Sequence, residues 1–240
     1  MNTSFADIEK KENRKDLIIS ICVFLSGFSC FAQLYYFQPL LPDLAKDFIL
    51  SASESSFAIS FSTLGMVFGL FTTMFVADRI PRKKMIGTGL LSSSIFSVAA
   101  SFSPTFLPLI LLSAAKGFLL SGATSVSMAY IAEEVSSRNK GKIMGLYIAG
   151  NALGGMAGRV ISSWIGALYT WRIASVSIGL ICALFAILFL LFSPRSTNFM
   201  PRKESFHTLI IANLQLITSK ALIPFYLTGG LILGVFIQLP

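Results

Sequence analysis

Asp78-Arg79-Ile80-Pro81-Arg82-Lys83-Lys84 is a dense charged turn set between two long stretches that carry no formal charge. Ser55–Ala77 precedes it and Met85–Ala115 follows, and neither contains Asp, Glu, Lys or Arg. A helix needs about 20 apolar residues to cross the hydrocarbon core of a bilayer. A water-soluble fold has no use for uncharged lengths of this kind, because its helices need a polar outer face. The turn therefore reads as a short loop joining two membrane spans.

The rest of the composition agrees. Of 240 residues, 54% are hydrophobic and 12% charged, against about 25% charged in globular proteins. Mean hydropathy is +0.75, and 22 phenylalanines suit lipid-facing and span-packing surfaces. The net charge of +8 does not point to nucleic acid. The basic residues sit in short loops between apolar segments and form no face or stripe. Cys22, Cys30 and Cys182 lie inside apolar segments, with no CxxC pair, and the single histidine is His207 in a polar stretch. Metal, disulfide and cofactor chemistry have no support in this pattern. No nucleophile–base pair is visible, so an enzyme is not expected. The first apolar run, from Leu17 to about Phe37, exceeds the 7–15 residues of a signal-peptide core, and reads as a first span.

Seven apolar segments follow one another at roughly 17–38, 55–77, 85–103, 106–131, 143–168, 173–192 and 222–239. The expected fold is all-α, a multi-pass bundle of about seven transmembrane helices. Its organisation is a tail at 1–16, a six-span bundle at 17–192, a linker at 193–221 and an incomplete seventh helix at 222–240. Within the linker, Phe206, Leu209, Ile210, Leu214 and Ile217 recur near helical spacing. That pattern suits either a helix lying on the membrane surface or a disordered linker.

Loop charge sets the expected orientation. Lys10, Lys11, Arg14 and Lys15 precede the first span. Arg79, Arg82, Lys83 and Lys84 follow the second, Arg138, Lys140 and Lys142 follow the fourth, and Arg195, Arg202, Lys203 and Lys220 follow the sixth. The opposite side holds only Lys46 and Arg172. The alternation predicts a cytoplasmic N-terminus.

Two cations lie at membrane depth. Arg159 falls near or beyond the midplane of the fifth span, about 24 Å from its basic end at a rise of about 1.5 Å per residue. A central Arg costs at least about 2.5–3.5 kcal/mol on insertion scales. It needs an anion or coupling site in a polar cavity, or else it snorkels or satisfies carbonyls of neighbouring helices. Lys116, in the fourth span, faces the same penalty. It is a candidate for proton coupling or a lysine that reaches a polar partner. No Asp or Glu lies deep in any span. Gln33 is a candidate cavity residue, while Tyr36 and Gln38 suit an interfacial belt. Gly65 and Gly69 in the second span, and Gly150, Gly154 and Gly158 beside Gly155 in the fifth, are expected helix-packing positions.

Taken together, these motifs resemble the major facilitator superfamily, and within it the drug/proton antiporter and sugar-efflux-like branch. The family loop after span two reads roughly G-x-L-a-D-[RK]-x-G-R-[RK]. Met74-Phe75-Val76-Ala77-Asp78-Arg79-Ile80-Pro81-Arg82-Lys83 matches it at the acid and the basic residues, with Met74 and Pro81 in place of both glycines. The fourth-span motif is matched by Gly117, by Tyr130-Ile131-Ala132-Glu133 and by Lys140-Gly141. Its arginine is replaced by Ser113, with Lys116 three residues on. Gly150-Asn151-Ala152-Leu153-Gly154-Gly155 resembles the fifth-span antiporter motif with Asn151 for proline. Trp171-Arg172 and Gln38-Pro39-Leu40-Leu41-Pro42 fit further family positions.

The resemblance implies a proton-coupled efflux transporter of the bacterial inner membrane. It would work by alternating access, with a small-molecule substrate and protons as partners in a lipid bilayer. Asp78, Arg79, Arg82, Lys83 and Glu133 become expected latch residues, and Arg159, Lys116 and Gln33 expected cavity residues. Family members have two six-span halves, so the chain is expected to supply the first half and part of a seventh span. Ending at Ile237-Gln238-Leu239-Pro240, it reads as a truncated copy lacking a C-terminal half. Uptake or exchange of a small anionic metabolite on the same fold, and a non-transporting membrane fragment, are the alternatives.

Overall fold

The computed structural model describes residues 5–201 together with residues 219, 222–224, 227–228 and 231. The chain divides into two units, Met1–Pro201 and Arg202–Pro240. In the second, the amides of Leu222 and Ile223 donate to the Ser219 carbonyl at 2.9 and 3.2 Å. The 206–217 stretch, read as either a surface helix or a disordered linker, lies outside the described residues, as does most of the expected seventh span.

Among the described residues every regular element of the first unit is helical. The helices are α1 (Phe5–Tyr35), α2 (Leu41–Asp47), α3 (Ala52–Ser55), α4 (Phe57–Val76), α5 (Arg82–Ser101), α6 (Phe106–Glu134), α7 (Lys140–Leu168) and α8 (Trp171–Phe192), with short 3-10 turns at Gln38–Leu40 and Ala77–Arg79. The six long ones occupy the expected spans. α1 starts far earlier than the apolar run does. Residues 5–16, expected as a tail, are rich in Lys and Glu, which are good helix formers, and they continue the first span as one helix. The loop after it contains the short helices α2 and α3. A capping box starts α3, with the Ser51 amide donating to Glu54 Oε2 at 2.7 Å and the Glu54 amide to Ser51 Oγ at 3.2 Å. Each side chain satisfies an amide that the first helical turn leaves free.

Among the described residues, four stretches are long and apolar enough to cross a membrane: Glu12–Asp47, Ala52–Arg79, Phe106–Glu134 and Trp171–Phe192. α5 and α7 reach 20 and 29 residues but carry serines, glycines and basic residues. In α5 that polarity is hidden. Ser93, Ser94, Ser97 and Ser101 are all buried, and Ser93 and Ser94 both donate to the Leu90 carbonyl at 2.8 Å. A serine that bonds its own helix in this way adds little to the cost of a span.

α4 packs on α6, α1 on α7, and α5 between α6 and α8. In lipid, packing contacts replace the hydrophobic effect as the force that joins helices, and glycine lets backbones approach. A Cβ on Gly65 would collide with the Ala114 backbone, and one on Gly117 with the Ser62 carbonyl. Gly69 meets Phe118 and Ser121. On the other pair, Gly150, Gly154 and Gly158 lie against the backbone of Phe24, Phe28 and Ala32. Gly155 differs from these: a Cβ there would face the Tyr35 ring at 3.3 Å. Large apolar side chains such as Phe68, Phe71, Val160, Trp164 and Leu191 stay on the outside, where lipid or further helices would cover them.

Candidate functional site

The loop after α4 is built around Arg82. The 3-10 turn at Ala77–Arg79 ends α4, and Pro81 caps the start of α5. Pro81 stands where the family has glycine, and its fixed φ suits the residue that opens a helix. This places Arg82 between two carboxylates. Its Nη2 donates to Asp78 Oδ1 at 2.8 Å and to Glu133 Oε1 at 3.0 Å, and Nε reaches Glu133 Oε1 at 3.2 Å. Nη1 donates to the Ala77 carbonyl at 2.6 Å, and the guanidinium lies 5.0 Å from the Phe199 ring centre. The Arg82 side chain is 9% exposed, so these are charge-assisted bonds shielded from water.

The five expected latch residues do not all join this cluster. Asp78, Arg82 and Glu133 do. Arg79 is exposed and forms no ion pair among the described residues. Lys83 turns to the segment after α8: its amide donates to Ser196 Oγ at 3.0 Å and its ammonium to the Ser193 carbonyl.

A second knot beside the first was not expected. Glu134 Oε2 accepts from Lys15 Nζ at 2.8 Å and from Thr197 Oγ1 at 2.9 Å, while Oε1 accepts from the Asn198 amide at 2.7 Å. Tyr130 Oη adds a bond to the Pro194 carbonyl at 2.8 Å. Asp16 ties α1 to the turn after α6, accepting from Asn139 Nδ2 at 2.8 Å. A buried acid next to Glu133, opposite the basic start of the chain, was the available signal. Its partner Lys15 stands 119 residues away.

The opposite end has its own tie. Asp47 Oδ2 accepts from Trp171 Nε1 and from Arg172 Nη2, both at 3.0 Å. Arg172 Nη1 also donates to the carbonyls of Ser101 and Ser103 at 2.7 and 3.0 Å. Trp171-Arg172 thus fastens the start of α8 to α2 and to the end of α5.

At membrane depth the outcome is mixed. Lys116 is 1% exposed, and its Nζ has no hydrogen-bond partner. It lies 4.5 Å from the Tyr36 ring centre and 4.8 Å from that of Phe37. Of the two alternatives for it, the lysine that reaches a polar partner is not found; two aromatic faces, which attract a cation through their quadrupoles, take that place. Gln33 is fully buried, and its Oε1 accepts from Ser97 Oγ at 3.1 Å. Tyr36 is not a belt residue: it is 0% exposed, with its hydroxyl 2.9 Å from Ser175 Oγ. The turn at the end of α1 folds it back into the bundle. Arg159 is half-buried and stacks 4.7 Å from the Tyr35 ring centre. Among the described residues no cluster of His, Cys, Asp or Glu could hold a metal ion.

Six long helices, paired through glycines and tied at both ends by charge, define a multi-pass helical membrane bundle. The chain belongs to the Major Facilitator Superfamily, whose family model matches residues 20–240. It is 35% identical to an uncharacterized transporter of Buchnera aphidicola subsp. Schizaphis graminum, over 97% of this chain and 56% of that protein. It is also 35% identical to the inner membrane transport protein YnfM of Escherichia coli, over 92% of this chain and 53% of that protein. Among solved structures, the proton:xylose symporter XylE superposes with a TM-score of 0.70 at 16% identity, covering 90% of this chain and 52% of that one. That likeness shows the fold. The chain spans about half the length of the curated relatives it matches. That family is one of membrane transporters, not of enzymes.

Proposed function

We propose that the chain acts as the N-terminal half of a proton-coupled exporter of small molecules that works by alternating access. The observation that carries this is the Arg82 bridge, which joins the loop after the second span to the end of the fourth through Asp78 and Glu133. A charged bridge at the mouth of a bundle can hold one conformation and release it when its partners change, which is the two-state element such a mechanism needs. Residues 17–192 form the working bundle in this proposal. Residues 193–221 form a linker, and 222–240 begin a seventh span. The basic end faces the cytoplasm, following the loop charges. Lys116 is the proposed proton-carrying group, Gln33 its neighbour in the polar interior, and Arg159 a substrate contact. A companion half completes the cavity, in keeping with relatives about twice as long.

The second proposal is uptake or exchange of a small anion. It is favoured by two cations at membrane depth with no carboxylate beside them. Counterflow in everted vesicles, with and without an imposed pH gradient, separates the two. Export driven by proton entry gives accumulation that needs the gradient. Plain exchange gives counterflow that ignores it.

A further inference from the structure

Tyr147, Asn151, Gly155 and Arg159 recur every fourth residue along α7 and so share one face of the helix. Across from them on α1 stand Gly27, Phe31 and Tyr35. A Cβ on Gly27 would collide with Asn151 Oδ1, and one on Gly155 would press on the Tyr35 ring. The two small residues therefore keep the helices close at this seam. Gly155 leaves the room in which Tyr35 lies under Arg159.

Arg159 is incompletely satisfied in this setting. One face of its guanidinium rests on the Tyr35 ring at 4.7 Å. Its Nε is buried without a hydrogen-bond partner, and so is Asn151 Oδ1 two steps down the stripe. Arg159 forms no ion pair among the described residues. The acids of the described helices lie away from its depth: Asp7, Glu9, Glu12, Asp16, Asp78, Glu133 and Glu134 toward one end of the bundle, and Asp43, Asp47 and Glu54 toward the other. Phe31 adds a second ring 6.0 Å from that of Tyr35.

We infer that Arg159 is the recognition group for a small organic carboxylate with an apolar or aromatic body. The inference rests on the transporter proposal and names its substrate class. A guanidinium whose face is taken by an aromatic ring still offers its planar N–H edge. That edge matches the two oxygens of a carboxylate better than any neutral or cationic group. The rings of Tyr35 and Phe31 then form an apolar floor beside the anion. A cationic substrate would meet an unneutralised positive charge in the same place.

The test is thermal melting of the purified full chain in detergent. The probes are sodium benzoate and sodium hexanoate, with benzamide, benzylammonium chloride and sodium chloride at matched concentration. At least one carboxylate should raise the melting temperature while the three controls do not. Arg159→Gln should weaken that carboxylate's apparent affinity at least about tenfold. Tyr35→Phe, which keeps the ring, should leave it within about twofold. If Arg159→Gln does not fold, Arg159→Lys provides the comparison, with a loss of at least about threefold from the missing planar edge. The inference is overturned by no shift with either carboxylate, by a shift with benzylammonium of equal size, or by equal affinity in the Arg159 variants. Vesicle flux separates this from the parent proposal. Carboxylate binding without gradient-driven flux leaves the substrate class standing and removes the coupling. Gradient-driven flux of a cation does the reverse.

Discussion

Glu133 and Glu134 are consecutive at the end of α6, yet they hold different parts of the molecule. Glu133 accepts from Arg82 at 3.0 Å, whereas Glu134 accepts from Lys15 at 2.8 Å. One carboxylate fastens the loop after α4. The other fastens the start of α1 and, through Thr197 and Asn198, the segment that leaves α8. The end of α6 is thus the point where four separate parts of the chain are joined.

Arg82 and Glu133 should be energetically coupled. Their side chains are 9% and 26% exposed, and a bond between charged groups contributes about 1.5–3 kcal/mol when shielded. A double-mutant cycle on thermal stability with Arg82→Gln and Glu133→Gln should give a coupling of about 1–2 kcal/mol. Arg82→Lys should recover only part of it, because an ammonium cannot span both carboxylates in the same plane.

Glu134→Gln should act elsewhere. Its loss frees Lys15, the Thr197 hydroxyl and the Asn198 amide while leaving the Arg82 bridge in place. Hydrogen exchange at residues 195–199 should rise at least about tenfold, with little change at residues 78–84. Equal loosening of both segments would mean that the two knots are a single unit.

These ties show which parts of the molecule can be read from sequence. The uncharged runs around the 78–84 turn mark α4 and α5 directly, because lipid excludes charge. Glycine spacing points to the tight faces, since few other residues let two backbones meet. The start of α1 is hidden, because a charged helix in water carries no apolar signature. The partners of Asp47, Glu134 and Lys116 are hidden for another reason. Each is set by a neighbour on a different helix, and a long lysine stem can end beside an acid, a carbonyl or a ring. The Tyr36 and Phe37 faces beside Lys116 come from the turn after α1, whose direction no local pattern specifies.

The glycine positions should separate cleanly. Gly154→Ala puts a methyl into the Phe28 backbone and should destabilise by about 1–3 kcal/mol, the range for overpacking. Gly141, with nothing within 4 Å of an added Cβ, should accept alanine. It should gain up to about 1 kcal/mol from helix propensity. Melting of the two variants in the same detergent is the measurement.

Lys116→Met should make the bundle more stable and the transporter worse. A buried ammonium with no hydrogen-bond acceptor is costly, and an apolar side chain of similar length should restore about 1–3 kcal/mol. If Lys116 carries the coupled proton, gradient-driven flux should disappear while gradient-independent counterflow survives. Unchanged gradient dependence would remove Lys116 from the coupling mechanism.

The account depends most on the bundle crossing a bilayer with the Arg82 loop and the segment after α8 on one face. Single cysteines at three exposed sites test this in intact cells, in a background without Cys22, Cys30 and Cys182. The sites are Arg79→Cys, Tyr169→Cys and Met200→Cys. A membrane-impermeant thiol reagent should label position 169 from outside, and positions 79 and 200 only after the membrane is opened. Labelling of positions 79 and 200 from opposite faces, or of all three from the same face, would contradict the account.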